Sequence, residues 1–263
     1  MKITAIIPAR YGSTRFEGKP LLDILGKPMI QHVYERVRRA KLIAEVIVAT
    51  DDPRIFEAVR AFGGRVVMTA RTHSSGTDRV AEVARNLKSE IIVNVQGDEP
   101  LIKGSIIDKA VRPLLTDRTL VMSTLMTRLR NPMDWLNPNV VKVVTDIKGR
   151  AIYFSRAPIP FPRELDLREL LAKLPEEKET LPKRIYKHIG VYIYRREFLL
   201  RFSRMKPTPL EKLEKLEQLR ALENGFPIKA VAVNYEPVSV DTLEDYQKVI
   251  TLLSSSRQKP SRI

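Results

Sequence analysis

The sequence of 263 residues predicts an α/β fold around a mixed, mostly parallel sheet. Two observations support this prediction. In the first 70 residues, short apolar runs alternate with amphipathic segments in the order β-α-β-α-β, the pattern of a parallel sheet covered by helices. Near the middle of the chain, two adjacent strand-like runs with a turn between them replace the alternation, which indicates an inserted β-hairpin.

The composition is that of a globular protein that handles anions. Hydrophobic residues make up 43% of the chain and charged residues 29%, enough for a sizeable core. The absence of cysteine excludes disulfides, thiolate nucleophiles and Cys-ligated zinc. The net charge of +15 fits nucleic acid or a strongly anionic small substrate. Because Lys and Arg are spread along the chain without a nucleic-acid-binding motif, we favour the small substrate and predict no nucleic-acid partner.

The chain has no apolar run of membrane-spanning length, and its first residues enter a strand directly without the layout of a signal peptide. We therefore predict a cytoplasmic protein without membrane contact. The last residues, 253–263, are polar and basic, and we predict a flexible tail there.

The first predicted strand is the apolar run 5–7, which Pro8 ends because proline cannot donate to the next ladder bond. A basic, Gly-containing loop follows, in which small residues let backbone N–H groups face an anion and basic side chains add positive charge. It matches neither the Walker nor the dinucleotide fingerprint, so a plain basic surface loop stays an alternative. The small residues are Ala9, Gly12, Ser13 and Gly18, and the basic ones are Arg10, Arg15 and Lys19.

Two helices and two strands continue the alternation. Pro28 begins the first helix, whose apolar residues recur at three- and four-residue spacing. Pro53 begins the second helix, and Gly63 and Gly64 end it. Ligands of parallel sheets collect at the carboxyl ends of the strands, where the basic loop lies. We predict helices over residues 29–40 and 54–62, and strands over residues 45–50 and 65–69.

A polar loop over residues 71–80 precedes the next helix. Ser75 or Thr77 can cap a helix that starts near Asp78, which gives part of this polarity a purely structural explanation. The loop also brings hydroxyls, a glycine and two arginines to the same sheet edge. We favour a role in recognising ribose and base.

The apolar run 90–95 predicts a buried strand that delivers Asp98 to the carboxyl edge of the sheet. Mg²⁺ prefers one or two carboxylates together with phosphate oxygens and water. A carboxylate facing the basic loop is therefore a candidate Mg²⁺ ligand, and Glu99 is interpreted as its support.

The middle of the chain predicts strands over residues 119–127, 140–146 and 151–156, the last two forming the hairpin. Three alternate prolines then enforce an extended path, and residues 164–183 are predicted to form a helix and a surface loop. A further strand is predicted over residues 187–195.

Leucines every three residues predict one amphipathic helix over residues 209–222. A strand over residues 228–233 and a final helix opening near residues 239–245 complete the chain. Asp241 has two interpretations: a cap of that helix, or a second metal carboxylate if it points toward Asp98.

Six ordered motifs closely resemble the 3-deoxy-D-manno-octulosonate (Kdo) cytidylyltransferase family over residues 3–250. The departures lie mainly in residues 164–183 and the C-terminal tail. The motifs are IPARYGSTR with GKPL (7–15 and 18–21), SGTDR (75–79), NVQGDEP (94–100), YFSR (153–156), HIGVY (188–192) and VDT (240–242).

This resemblance implies a three-layer α/β/α nucleotide-diphospho-sugar transferase fold with a smaller inserted hairpin and dimerisation subdomain. It implies transfer of CMP from CTP to Kdo by a Mg²⁺-dependent cytoplasmic homodimer. We accordingly expect one nucleotidyltransferase domain over residues 1–252. Its nucleotide and metal core is expected in 1–118 and 196–252, and its sugar-binding and dimerisation part in 119–195.

The resemblance also implies residue roles. Arg10 and Lys19 are expected to hold the triphosphate, and Asp98 and Asp241 to hold Mg²⁺; these four are the expected catalytic residues. The expected nucleotide-binding residues are Ala9, Arg10, Lys19, Ser75, Gly76, Arg79, Gln96 and Asp98. The expected Kdo-binding residues are Gln96, Arg156, His188, Tyr192, Glu217 and Gln218.

The chemistry of the residues agrees with this implication. Nucleotidyl transfer asks a protein mainly for alignment and charge stabilisation, which a basic loop facing a metal-binding carboxylate supplies. Arg156 suits a sugar carboxylate, since guanidinium pairs with it bidentately. A cytidylyltransferase for another sugar acid, such as sialic acid, or for an unrelated phosphate acceptor is the nearest alternative; His188 and Tyr192 within the family pattern favour Kdo. A non-catalytic basic binding protein is the alternative from another class.

Overall fold

A computed structural model describes residues 1–12, 17–164 and 181–257 and confirms the mixed α/β class. Contacts divide the chain into two units. The first comprises residues 1–111, 193–203 and the chain from Pro237 onward; the second comprises 112–192 and 204–236. Residues 204–236, which we expected in the nucleotide core, thus group with the second unit. The single domain over 1–252 stays a prediction.

Apart from β2 and β3, which were not predicted, the strands lie close to their predicted positions, and two of them, β4 and β11, have the predicted bounds. The strands are β1 (Ile3–Ala9), β2 (Asp23–Ile24), β3 (Lys27–Pro28), β4 (Glu45–Thr50), β5 (Val66–Met68), β6 (Ile91–Asn94), β7 (Met122–Arg128), β8 (Lys142–Thr145), β9 (Ala151–Ser155), β10 (Tyr186–Arg195) and β11 (Ile228–Val233).

The helices include the two predicted in the first 70 residues and the one after the polar loop. A 3-10 helix covers Lys19–Leu21. The α-helices are α1 (Met29–Val37), α2 (Pro53–Ala61), α3 (Gly76–Arg85), α4 (Gly104–Thr116), α5 (Pro132–Leu136), α6 (Arg196–Phe202), α7 (Pro209–Glu214), α8 (Leu219–Glu223) and α9 (Leu243–Arg257).

The first unit is built on parallel strands in the order β6-β1-β4-β5. The central strand β1 is buried almost throughout, since it has neighbours on both sides and helices over its faces. Because all these strands run the same way, their carboxyl ends meet at one edge. Ala9, Thr50 and Asn94 end β1, β4 and β6 at that edge.

The prediction that Pro8 ends β1 is wrong. The ladder with β4 continues through Pro8 and Ala9, which pair with Ala49 and Thr50. The ladder with β6 stops at Ile6. Alternate residues of a strand face opposite neighbours, so Pro8 faces the side where β6 no longer pairs. Its missing N–H therefore costs no ladder bond.

The first unit also holds the short antiparallel pair of β2 and β3, and the second unit contains the pairs among β7 to β11. The strand β11 runs parallel to β7, and β10 lies next to β7. The predicted hairpin is confirmed: β8 pairs antiparallel with β9 through a turn at Gly149, which has a φ of 72°. A buried cluster around Trp135 packs with Leu129, Leu181 and Ile185.

The single helix predicted over residues 209–222 is wrong, because the chain forms two short helices, α7 and α8. Lys215, at the C-terminus of α7, is left-handed with a φ of 53°. The leucines do not form one buried stripe: Leu213 is 79% exposed, whereas Leu216 and Leu219 are buried. Tertiary contacts of the segment around Lys215, described below, override its helical periodicity.

The final helix α9 extends through Arg257, so the chain is helical beyond residue 253, where we predicted the tail to begin. Residues 258–263 and most of the helix and loop predicted over 164–183 lie outside the described residues. Among the helices of the described ranges, none combines the length and hydropathy that crossing a bilayer requires.

Candidate functional site

The loop after β1 is closed by a backbone hydrogen bond. Gly18 donates its N–H to the carbonyl of Tyr11 at 2.9 Å, and its φ of 68° is one that glycine adopts without a Cβ penalty. A Cβ at Gly18 would approach the Tyr11 ring to 3.0 Å. The turn returns the chain so that Lys19 and Arg10 line the same cavity. Arg15, expected to add charge here, lies outside the described residues.

The ammonium group of Lys19 lies between two carboxylates. Its Nζ donates to Oδ2 of Asp98 at 2.9 Å and to Oδ1 of Asp241 at 3.1 Å. Burial by itself lowers the pKa of Lys19, but the charges and hydrogen bonds of Asp98 and Asp241 together raise it above its usual value. Lys19 is therefore a fixed positive charge, and the two carboxylates that the sequence singled out converge on it.

The hydrogen bonds at the start of α9 decide between the two interpretations of Asp241, a helix cap or a metal carboxylate. Thr242 Oγ1 accepts from the N–H of Asp245 at 3.2 Å. The carboxylate of Asp245 in turn accepts from the N–H groups of Asp241 and Thr242 at 3.0 and 2.9 Å. Thr242 and Asp245 thus cap the helix, and the carboxylate of Asp241 faces Lys19. The N–H of Val240 donates to the carbonyl of Asp98 at 3.0 Å, which keeps the two segments together.

Glu99 has a different environment from its neighbour Asp98. Its side chain is buried, and burial together with the charge of Asp98 raises the pKa of Glu99 to about 8. At neutral pH it is a neutral acid, which suits the supporting role predicted for it. Within the described ranges, no three His, Asp or Glu side chains form a cluster that would hold a metal by themselves.

A cavity of about 460 Å³ lies at the carboxyl edge of the first unit's sheet. Every residue expected to bind nucleotide lines it, and the lining residues come from six sequence segments. Its volume lies in the range of small-molecule sites. The lining residues are Pro8, Ala9, Arg10, Lys19, Pro20, Met29, His73, Ser74, Ser75, Gly76, Arg79, Gln96, Gly97, Asp98 and Asp241.

The polar loop before α3 reaches this cavity as predicted. Ser75 is the N-cap of α3, and its hydroxyl accepts from the N–H of Asp78 at 3.1 Å. Arg79 is buried and donates to Asp51 at 2.9 Å and to Thr69. These bonds commit part of its guanidinium to joining α3 to the ends of β4 and β5.

The sequence argument assigned no role to His73, although it lines the cavity. Its Nε2 is hydrogen-bonded to the carboxylate of Glu82, which also accepts from the N–H of Ala70 at 3.0 Å. The available signal was its position two residues before the SGTDR motif. A lone histidine in a polar loop does not reveal by itself which edge it faces.

In the second unit, backbone carbonyls hold the guanidinium of Arg156. Its Nε donates to Glu214 at 2.7 Å, Nη1 to Pro138 at 2.9 Å and Nη2 to Lys215 at 3.5 Å. These bonds use three of the five N–H donors of a guanidinium. The left-handed Lys215 turns the carbonyls at the end of α7 toward Arg156, which accounts for the break in the predicted helix.

A compact aromatic and polar cluster surrounds His188 in the same unit. Its ring centroid lies 5.1 Å from that of Phe154 and 5.3 Å from that of Tyr192. Its Nε2 is 2.8 Å from the hydroxyl of Thr124, and the hydroxyl of Tyr192 donates to Gln218 at 3.1 Å. Three of the expected Kdo-binding residues therefore form one contact chain.

Glu217 lies next in sequence to Gln218, and its carboxylate is 3.7 Å from the guanidinium of Arg220. Gln96, also expected to bind Kdo, belongs to the first unit. The sequence analysis did not identify Thr124 as a site residue, because nothing in the sequence shows that a hydroxyl within a strand contacts a particular histidine.

We expect His188 to remain neutral throughout the physiological pH range. Burial lowers the pKa of its imidazole to about 3, whereas an unfolded histidine titrates near about 6.5. The unfolded chain therefore binds a proton that the folded chain does not. The contribution of His188 to the free energy of unfolding is lost as the pH falls from about 6.5 toward 3.

Proton and carbon NMR of the histidine side chains tests this expectation. The His188 signals should not shift between about pH 5 and 8 in the native protein, and should titrate normally in denaturant. A native midpoint near about 6.5 would contradict the burial described here.

Comparisons with known proteins agree with this geometry. A model of the cytidylyltransferase family matches residues 4–232. A 3-deoxy-manno-octulosonate cytidylyltransferase of Geotalea uraniireducens is 59% identical over 254 residues, 96% of this chain and 99% of the relative. One of Geobacter metallireducens is 58% identical over 255 residues, 97% of this chain and 98% of the relative.

A solved structure of CMP:2-keto-3-deoxy-manno-octonic acid synthetase complexed with CTP is 41% identical. The match covers 97% of this chain and 100% of that chain, with a TM-score of 0.87.

This chain has a basic loop and two carboxylates at the carboxyl edge of a parallel sheet, and its fold matches that of a nucleotidyltransferase over nearly the whole chain. Together these observations define its class as a nucleotidyltransferase. The class includes enzymes for many acceptors, so the fold alone does not narrow it further. The sequence identities given above narrow the class: the chain belongs to the 3-deoxy-manno-octulosonate cytidylyltransferase family. The resemblance inferred from the sequence is confirmed.

Proposed function

We propose that this chain transfers CMP from CTP to Kdo, giving CMP-Kdo and pyrophosphate and so activating Kdo for lipopolysaccharide synthesis. The anomeric hydroxyl oxygen of Kdo forms a bond to the α-phosphorus of CTP. The bond from that phosphorus to the oxygen bridging to the β-phosphate breaks, and the hydroxyl proton passes to solvent. The observation that carries the proposal is the convergence of Arg10, Lys19, Asp98 and Asp241 on one cavity.

The triphosphate is assigned to the basic side of that cavity. Arg10 follows β1 directly, and Lys19 is held in place by two carboxylates. The raised pKa of Lys19 keeps its ammonium group charged at neutral pH. Backbone N–H groups at the start of α3 add donors for phosphate oxygens. Together these groups neutralise the charge that develops on the departing pyrophosphate.

The cytidine is assigned to the loop at the start of α3 and to Gln96. Ser75 accepts one hydrogen bond as a helix cap and keeps its own O–H as a donor. A Cβ at Gly76 would lie 3.3 Å from Pro8, so the backbone here is close to the end of β1. A larger residue than Gly76 would intrude on this edge of the cavity. Arg79 orients the loop through its bond to Asp51.

Asp98 and Asp241 are the residues that would hold Mg²⁺. The chemistry of the donors fits: each places a carboxylate oxygen near the same cation, the Lys19 ammonium, at 2.9 and 3.1 Å. Two carboxylates beside a triphosphate site match the preference of Mg²⁺ for few protein ligands and several phosphate or water oxygens. When bound, Mg²⁺ stabilises negative charge on the phosphates and lowers the pKa of a nearby hydroxyl.

Kdo is assigned to the residues of the second unit that surround Arg156 and His188, and the Kdo contact expected of Gln96 stays a prediction. Three of the five N–H donors of Arg156 are bound to backbone carbonyls. The other two suit the carboxylate of the sugar acid. The neutral His188 and the pair Tyr192 and Gln218 can exchange hydrogen bonds with sugar hydroxyls. Glu217 adds an acceptor beside Gln218.

Pyrophosphate release from the purified protein tests the proposal. Reactions contain CTP and Mg²⁺ with either Kdo or sialic acid, and a reaction without acceptor measures background hydrolysis. Release with Kdo alone supports the proposal. Release with sialic acid alone would assign another acceptor, and background-level release with both would overturn transfer to these acids. Omitting Mg²⁺ in parallel should remove the activity, since the proposed site needs a divalent cation.

Assembly and location are further parts of the proposal. We propose a homodimer in the cytoplasm, as the family resemblance implies. Sedimentation of the full chain measures the first, and fractionation of producing cells measures the second.

A further inference from the structure

Lys142 on β8 is a fully buried lysine to which no carboxylate of the described residues is hydrogen-bonded. Its side chain is 0% exposed. Its Nζ donates to three backbone carbonyls, of Asn137 at 2.9 Å, Val140 at 2.6 Å and Arg156 at 2.6 Å. Removing an ammonium group from water is costly unless its donors are satisfied. An apolar residue of similar length would avoid the cost of burying a charge but would leave the three carbonyls without this donor, so the lysine and the carbonyls form one interdependent cage.

The cage connects two segments that both bear on Arg156. One is the loop 137–140, whose Pro138 carbonyl accepts from Nη1 of Arg156 at 2.9 Å. The other is the end of β9, where Arg156 itself supplies the carbonyl bound by Lys142. One ammonium group therefore fixes the backbone of Arg156 and the loop that holds its guanidinium.

Glu214 makes further contacts with the same segment. Its carboxylate accepts from the N–H of Arg156 at 2.9 Å and from the hydroxyl of Ser155 at 2.6 Å. Its carbonyl accepts from Nε of Arg156 at 2.7 Å. The backbone at Arg156 is thus held through its N–H by Glu214 and through its carbonyl by Lys142.

We propose that Lys142 is a positioning residue for the sugar acid: by holding the carbonyl of Arg156 and the loop 137–140, it orients the Arg156 guanidinium toward the substrate carboxylate. This inference rests on the proposed function, because it takes Arg156 as the group that binds that carboxylate. A misplacement of about 1 Å in such a group is enough to weaken productive binding strongly.

The charge state of Lys142 gives the inference a second readout. Burial and the charge of Arg156 lower the pKa of Lys142 to about 8, although the charges of Glu214 and Asp134 act in the opposite direction. Lys187, its register partner on β10, is hydrogen-bonded to Glu236.

Below that pKa, three N–H donors serve three carbonyls; above it, the neutral amine has only two. The KM for Kdo should therefore rise as the pH passes about 8.

A double-mutant cycle tests the inference, with KM for Kdo, KM for CTP and kcat measured for wild type, Lys142→Gln, Arg156→Gln and the double variant. Lys142→Gln should raise KM for Kdo about tenfold or more and leave KM for CTP within about twofold. The double variant should match Arg156→Gln alone, because Lys142 acts through Arg156. Lys142→Arg should recover part of the loss, and Lys148→Gln, at an exposed site of the same hairpin, should match wild type.

The outcomes separate the inference from the function on which it rests. If Arg156→Gln leaves KM for Kdo unchanged, the assignment of Arg156 is wrong. If Arg156→Gln raises it but Lys142→Gln does not, or the two effects multiply, Lys142 is not a positioning residue. If Lys142→Gln does not fold, the two KM values of the wild-type protein are measured as the pH is raised through about 8. A rise in KM for Kdo relative to KM for CTP supports the inference, and a constant ratio overturns it.

Discussion

Replacing Asp98 by Asn should lower kcat by about 10³-fold or more while the Kd for CTP stays within about threefold. Asparagine keeps the size of the side chain and an oxygen that can accept from Lys19, whose Nζ lies 2.9 Å from Oδ2 of Asp98 in the structure. The backbone bond from Val240 also remains. What is lost is the negative charge that a Mg²⁺ ligand provides. Triphosphate binding by Arg10 and Lys19 does not require that charge, whereas stabilisation of the transition state does.

Steady-state rates and calorimetric titration of CTP, each over a range of Mg²⁺ concentrations, measure the two quantities separately. Glu244→Gln is the matched control, since it removes one negative charge from an exposed site on α9 near Asp241. Equal losses in kcat and in CTP affinity would count against a transition-state role for the metal.

Replacing Lys19 by Met should lower kcat/KM for CTP by about 10²- to 10³-fold, the effect of removing one preorganised donor from a charged transition state. Methionine has a similar length but no charge. Only 12% of the Lys19 side chain is exposed, so solvent screens this ammonium group little. The substitution also leaves Asp98 and Asp241 facing the cavity without their counter-ion. In contrast to Asp98→Asn, CTP binding should weaken together with turnover.

The control for Lys19→Met is Lys27→Met, which removes a lysine paired with Glu35 at a more exposed site. Comparable kinetics and thermal stability of the control and wild type would isolate the position of Lys19. A Lys19→Met enzyme with kcat/KM for CTP within about threefold of wild type would reduce Lys19 to a structural counter-ion.

Local patterns in the sequence were sufficient for most elements. The bounds of β4 and β11 were predicted to the residue because each is a run of mainly apolar residues followed by a polar residue, Asp51 or Asn234. The turn at Gly149 was also predicted, and the cap at Ser75 was one of the two candidates, since both features depend on neighbours within a few residues. The order of the motifs identified the family, and with it the residues that line one cavity.

Contacts distant in sequence were decided only by the tertiary structure. The two carboxylates meet at Lys19 across 79 and 222 residues of sequence. The capping bonds of Thr242 and Asp245 free Asp241 for this contact, which a capping pattern alone does not reveal.

The second unit shows the physical reason for this division. The leucine repeat predicted one helix, but the chain breaks at Lys215, where α7 ends with its carbonyls directed to Arg156. In the sequence, Lys142 is an ordinary lysine of a strand; only the structure shows that three carbonyls surround its ammonium group. Propensity and periodicity act over a few residues, so the sequence alone determined the elements and the family. The partners of buried charges depend on how those elements pack, and the tertiary structure decided them.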